Sequence, residues 1–163
     1  ASDVYKRQLN KEISKYISKI MVKERNPKDS QYMSALFKVC GNLERIGDHA
    51  VNICEYTKMI EEKNITFSKE VIGEIAQMRE ICVKALSKVE SIDNGINVAE
   101  IASIEEKIDE MTEQFRKNQI DRMQVGKCSD EGCVLYSEML TDFERIGDHI
   151  LNVGQEMAGA VNE

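Results

Sequence analysis

Apolar residues recur at steps of three and four along almost the whole chain, the spacing that places one side-chain stripe on one face of a helix. Breaks in that pattern divide the sequence into five helices. The first is expected from Leu9 to Glu24 and stops at Asn26-Pro27, since proline disfavours helix in the residue before it. Asp29 or Ser30 caps the second, which runs to Glu62; Thr66 or Ser68 opens the third, which ends at Asp93-Asn94-Gly95. Asn97 with Glu100 reads as a capping box for the fourth, ending at Gly126, and Ser129 starts the fifth. Expected seams are Ile13, Ile17 and Ile20 in the first helix, and Leu36, Cys40, Leu43, Gly47, Ala50 and Cys54 in the second. The fourth has Ile101, Ile104, Ile108, Met111 and Phe115, and the fifth Tyr136, Leu140, Phe143, Gly147, Ile150 and Gly154. The expected class is all-α.

Part of this pattern is written twice. Leu43-Glu-Arg-Ile-Gly-Asp-His-Ala-Val-Asn-Ile53 returns one hundred residues later as Phe143-Glu-Arg-Ile-Gly-Asp-His-Ile-Leu-Asn-Val153, with seven of eleven positions identical and the other four apolar in both copies. The displacement also aligns Ile20 with Ile120 and the Asn26-Pro27 turn with Gly126-Lys127. Helices one and two therefore correspond to helices four and five, and helix three has no counterpart in the first copy. The expected organisation is tandem antiparallel three-helix bundles: a partial first bundle over 1–65, truncated at its N-terminus, and a complete second bundle over 66–163. Where copy two reads Glu105-Glu-Lys-Ile-Asp109, copy one reads Tyr5-Lys-Arg-Gln-Leu9, and residues 1–8 are suspected to be non-native. The seam of Leu36, Leu43, Ile13, Ile17 and Ile20 is expected to be partly uncovered, or covered by helix three or a second copy.

Composition narrows the function. One Pro, no Trp and 31% charged residues in a chain of 163 suit long amphipathic helices. A net charge of −7 speaks against a nucleic-acid backbone as partner and for cations. No apolar run reaches the roughly 18 residues of a membrane span, so no direct membrane insertion is expected, and the first residues lack a signal-peptide core. The five Cys are odd in number and form no Cys-x-x-Cys pair, as expected of reduced thiols; Cys128 and Cys133, though close, read as loose helix-start thiols rather than as a disulfide or a shared metal site.

The candidate chemistry lies in carboxylates. Glu44 and Asp48, and their equivalents Glu144 and Asp148, stand about 100° to 140° from the seam centre, a ledge along the bundle flank. Glu105 and Asp109 each follow a seam residue of helix four by one, so four carboxylates could converge on one groove of the second bundle. Like charges four apart cost a helix roughly 0.2 to 0.5 kcal/mol, and repeating them at matched positions calls for a compensating cation. Oxygen-only donors suit Fe, Mn, Mg or Ca, with Zn possible. Arg45 and Arg145 read as salt-bridge partners of neighbouring helices, His49 and His149 as packing residues, and Gly47 and Gly147 as points of close helix approach. No nucleophile-base pair, Gly-rich phosphate cradle or Glu-x-x-His occurs, and no enzyme activity is expected.

The doubled Glu-Arg-Ile-Gly-Asp-His-x-x-Asn resembles the PhoU family, regulators of bacterial phosphate uptake. Phe67-Ser-Lys-Glu70, Arg116 through Met123 and Gly126-Lys-Cys-Ser129 look like one branch of it, the PhoU-like C-terminal domain of bacterial Na/Pi-cotransporter-family membrane proteins. The resemblance implies a cytoplasmic regulatory domain at the inner face of the membrane, partnered with a phosphate transporter membrane domain in the same full-length chain. It implies a metal ion, iron or zinc, on Glu105, Asp109, Glu144 and Asp148, and on Glu44 and Asp48 in the first bundle. There the family's other acidic pair is missing, at Tyr5 and Leu9. The alternatives are a free-standing PhoU-type regulator of a phosphate ABC transporter, or a helical adaptor without metal; a homo-oligomer is compatible with each.

Overall fold

A computed structural model describes residues 2–23, 26–90 and 96–161. Five helices account for it: α1 (Ser2–Met21), α2 (Pro27–Glu62), α3 (Lys69–Glu90), α4 (Val98–Gln124) and α5 (Asp130–Val161), with no strand among the described residues. The all-α expectation holds. The helix starts are set by side chains that take up orphan backbone donors. Asn26, one turn earlier than the Asp29 or Ser30 expected, accepts from the Lys28 amide at 3.1 Å, and Pro27 fills the first helical position, where its missing N–H costs nothing. Ser68 accepts weakly from Val71 N at 3.4 Å, Asn97 from Glu100 N at 3.1 Å, and Ser129 from Gly132 N at 3.1 Å. Glu100 completes no capping box: its carboxylate pairs with Lys88. The expected stop at Asp93-Asn94-Gly95 lies outside the described residues. α1 begins seven residues before the expected Leu9.

α5 is the hub, packed along α2, α4 and α3, while α1 lies on α2. The seams of α4 and α5 are where the spacing puts them: Ile101, Ile104, Ile108 and Phe115 face Tyr136, Leu140, Phe143 and Ile150, all buried. Gly147 takes the Ile108 side chain so closely that an added Cβ would sit 3.0 Å from Ile108 Cδ1, which is the close approach expected of it. α2 departs from expectation. Its protected residues are Ala35 and Val39, with Ile46 and Ile53 half-buried against the core, whereas Leu43, Ala50 and Cys54 are exposed. The stripe that meets α5 is therefore rotated from the expected one, because α2 serves α1 and α5 on different sides.

At the end of the bundle where α3 begins, polar residues occupy seam positions. Glu74 stands between Val71 and Met78 on the buried face of α3, and Arg122 continues the α4 seam beyond Phe115 and Gln119. Arg122 binds Glu74 with both terminal nitrogens, at 3.0 and 2.8 Å. Asn118 donates to the same carboxylate at 2.7 Å, and so does the hydroxyl of fully buried Tyr136. A bidentate pair with its remaining lone pairs satisfied is the arrangement in which a buried charge is tolerated.

Where α2 crosses α5, the two copies of the repeat meet reciprocally. His49 Nδ1 lies 2.6 Å from Asp142 Oδ1, and His149 Nδ1 lies 3.0 Å from Asn42 Oδ1. Residues 42 and 142 are related by the same displacement of one hundred that relates the histidines. The two rings stack at 5.6 Å between centroids. Burial, then the positive charges of His49 and Arg45, hold the His149 imidazole below its ordinary range. Both histidines are packing residues, as expected.

The outer face of the α1–α2 hairpin keeps apolar surface. Leu9, Ile13 and Leu43 are 43%, 37% and 46% exposed, while Ile17 is buried. The intact chain is expected to bind anilinonaphthalene sulfonate and to self-associate through this face; Ile13→Ser with Leu43→Ser lowers dye emission by roughly half or more. Light scattering that finds a strict monomer, with no dye bound, contradicts this.

Candidate metal centre on the flank of α4 and α5

The antiparallel packing of α4 on α5 brings three of the four expected carboxylates of this flank together. Glu105 and Asp109, one turn apart on α4, face Asp148 on α5. Burial and then the charges of Asp109 and Asp148 push the Glu105 carboxyl above its ordinary range, and a hydrogen bond joins it to Asp148. Burial and then Asp148 raise Asp109 as well. These groups are therefore short of positive charge. Each is only partly shielded, so the repulsion is screened but not removed.

Glu144 is turned away from them. Its Oε2 accepts from Arg116 Nη2 at 3.0 Å, and the same nitrogen donates to Thr141 Oγ1 at 3.0 Å. Among the described residues no group of three or more His, Cys, Asp or Glu is placed to hold a metal ion, Glu105, Asp109 and Asp148 included. Arg145 reaches Asp148 at 3.4 Å on its own helix, not a neighbouring helix as expected. The donors are all oxygen, which suits a hard or borderline cation. In donor chemistry alone Glu105, Asp109 and Asp148 suit such an ion; as placed, they do not form a group that could hold one.

The flank of α1 and α2 does not fit one equally. Tyr5 and Leu9 take the positions of the acids, Asn10 donates to Glu44, and Arg7 lies 3.9 Å from Asp48.

One feature had no place among the sequence expectations: the Glu74–Arg122–Tyr136 cluster, whose only signal was charge at seam positions. Another corrects an expectation: Cys128 and Cys133, read as loose thiols, are joined as a disulfide, while Cys40, Cys54 and Cys82 are free. A spacing of five across the start of a helix is enough for the two sulfurs to meet, since the two Cα atoms lie 6.3 Å apart, within disulfide reach.

Comparison with known proteins gives a consistent family. The PhoU domain profile matches residues 3–57 and 72–157. The chain is 29% identical over 157 residues, 92% of its length, to the phosphate-specific transport system accessory protein PhoU homolog 1 of Thermotoga maritima. It is 21% identical over 129 residues, 79% of its length, to the corresponding PhoU homolog of Streptococcus pneumoniae. It spans 66% and 60% of the lengths of these two relatives. The crystal structure of the phosphate transport system regulatory protein PhoU from Streptococcus pneumoniae superimposes with a TM-score of 0.81 at 20% identity, covering 98% of this chain and 75% of that one, a likeness of fold.

Proposed function

Because the chain belongs to the PhoU domain family, we propose that it is a helical regulator of phosphate transport, acting by docking against a membrane transporter rather than by catalysis. The observation that carries this reading is the match of the family profile to both copies of the Glu-Arg-Ile-Gly-Asp-His repeat. The relatives' names, accessory proteins of phosphate-specific transport systems, favour a free-standing regulator over a domain fused to its transporter. No helix among the described residues is long and apolar enough to cross a membrane, so any membrane contact of these helices is with a protein or the surface. On this reading the regulator works at the inner face of the cell membrane.

The test is phosphate uptake in a bacterium lacking its own PhoU-type regulator. Expression of the full-length gene is expected to change the uptake rate in phosphate-replete medium at least about twofold, and its product to co-purify with transporter membranes. Unchanged uptake, with the protein present and folded, removes the reading.

Glu105, Asp109, Asp148 and Glu144 are the residues that would hold a cation, iron or zinc, on the bundle flank. Such an ion supplies positive charge that ties α4 to α5. What supports this is the raised proton affinity of Glu105 and Asp109. Glu44 and Asp48, facing Asn10 and Arg7, are the weaker candidates.

A further inference from the structure

Cys40, Cys54 and Cys82 are free thiols with no sulfur partner. Burial pushes the Cys82 thiol up to about 12, which leaves it inert, and burial raises Cys40 too. Cys54 stands apart on the exposed side of α2. The joined pair, Cys128 and Cys133, straddles the entry to α5. Ser129 holds that helix start by itself: its carbonyl accepts from Cys133 N at 2.9 Å and its hydroxyl from Gly132 N at 3.1 Å. α5 therefore begins whether the sulfur bridge is closed or open. What the bridge adds is a tie on the residue before the cap.

That residue lies at a junction of elements. Gln119 of α4 donates to Cys128 Sγ at 3.8 Å. Gly132 backs onto the α2–α3 linker so closely that an added Cβ would lie 3.2 Å from Ile65 Cγ2 and 3.4 Å from Phe67 Cε1. Phe67 meets the Tyr136 ring edge-on at 6.3 Å, and Tyr136 binds Glu74 of α3. On the other side Cys133 lines an open, mostly apolar groove of about 490 Å³ with Ile120, Met123 and Val134, which gives its sulfur room once released.

We propose that Cys128 and Cys133 form a reversible redox pair that stiffens the junction between the α2–α3 linker and the α4–α5 turn when closed and loosens it when open. Opening is a thiol–disulfide exchange with two molecules of a small thiol such as glutathione. The reductant's thiolate attacks Cys128 Sγ, the less buried sulfur, forming a mixed disulfide as the bond to Cys133 breaks. Cys133 leaves as a thiolate and is protonated from water. The second reductant thiol, as thiolate, then displaces Cys128, which is protonated in turn. The reductant ends as a disulfide, two electrons pass to the protein, and the two protons the reductant gave up balance those gained by the cysteines. Closing runs the same steps backwards with a small-molecule disulfide as oxidant.

The intact chain is equilibrated in glutathione buffers from fully reduced to mostly oxidised, quenched with N-ethylmaleimide and peptide-mapped, with amide hydrogen exchange followed on the same samples. Cys128 and Cys133 are expected to lose reactivity together as an internal disulfide. Exchange over 126–133 and 63–68 then slows at least about fivefold, while 104–115 is unchanged. Cys128→Ser, or Cys133→Ser should the first fail to fold, exchanges like the reduced wild type in every buffer. Free thiols or glutathione adducts at both positions in the oxidised buffer overturn the proposal, as does a closed pair whose exchange matches the reduced protein.

Discussion

Glu74→Ala is expected to remove about 3 to 5 kcal/mol of folding stability, more than any other single substitution suggested by this structure. The reason is what remains behind. Arg122, with 13% of its side chain exposed, would lose both hydrogen bonds to the carboxylate and stay charged between α3 and α5. Tyr136 and Asn118 would each lose an acceptor. Urea unfolding should show the midpoint falling with little change of slope, since the surface exposed on unfolding is the same. Glu74→Met with Arg122→Met should recover most of the loss, because removing both partners also removes the desolvation of both charges. A Glu74→Ala loss below about 1 kcal/mol would mean that Arg122 escapes to solvent and that the pair pins nothing.

The same pair gives an acid-side signature. Burial by itself raises the Glu74 carboxyl, but hydrogen bonds from Arg122, Tyr136 and Asn118 outweigh it and leave it below the ordinary value of 4.5. The unfolded chain therefore takes up this proton more readily than the folded one. The contribution is whole above pH 4.5 and drains away as pH falls through the lower, folded value.

Cation binding is the second large effect expected. Glu105 and Asp109 carry the opposite sign: their folded values are raised, so at neutral pH their ionised forms weigh against folding, and stability from this site rises as pH falls through the raised range. A cation held there replaces the missing proton. At a free concentration one hundred times its dissociation constant, iron(II), manganese(II) or zinc(II) should stabilise the wild type by about 2.7 kcal/mol. The variant Glu105→Gln, Asp109→Asn, Glu144→Gln, Asp148→Asn should show no cation response, and its metal-free form should unfold at slightly higher temperature than the wild type. Equal metal content and equal shifts in both proteins would favour the helical adaptor, whose acids merely solvate the flank.

The fold was legible where one apolar period dominates a helix. Ile101, Ile108, Leu140 and Ile150 fall where a 3.6-residue period puts them, although α5 also packs on α2 and α3. α2 was misread because its apolar residues serve both α1 and α5. Its sequence carries two overlapping apolar stripes, and the period alone could not tell the one toward α5, with Val39 and Ile46, from the one that includes Leu43. Glu74 and Arg122 were visible only as charged residues interrupting seams, a signal that says a partner is needed without naming it. That Glu105, Asp109 and Asp148 share the α4–α5 flank was expected from spacing and repetition. Rotamers cannot be: nothing in the pattern of Glu144 and Asp148 foretells that Arg116 draws the former aside.

The reciprocal exchange at the crossing of α2 and α5 ties the two halves of the chain together by a local two-fold. In a closed two-fold association each partner offers the other the same pair of groups, and here His49 answers Asp142 as His149 answers Asn42. Because both halves lie on one chain, the linker fixes the concentration at which they meet, and the trade holds α2 on α5 however dilute the protein.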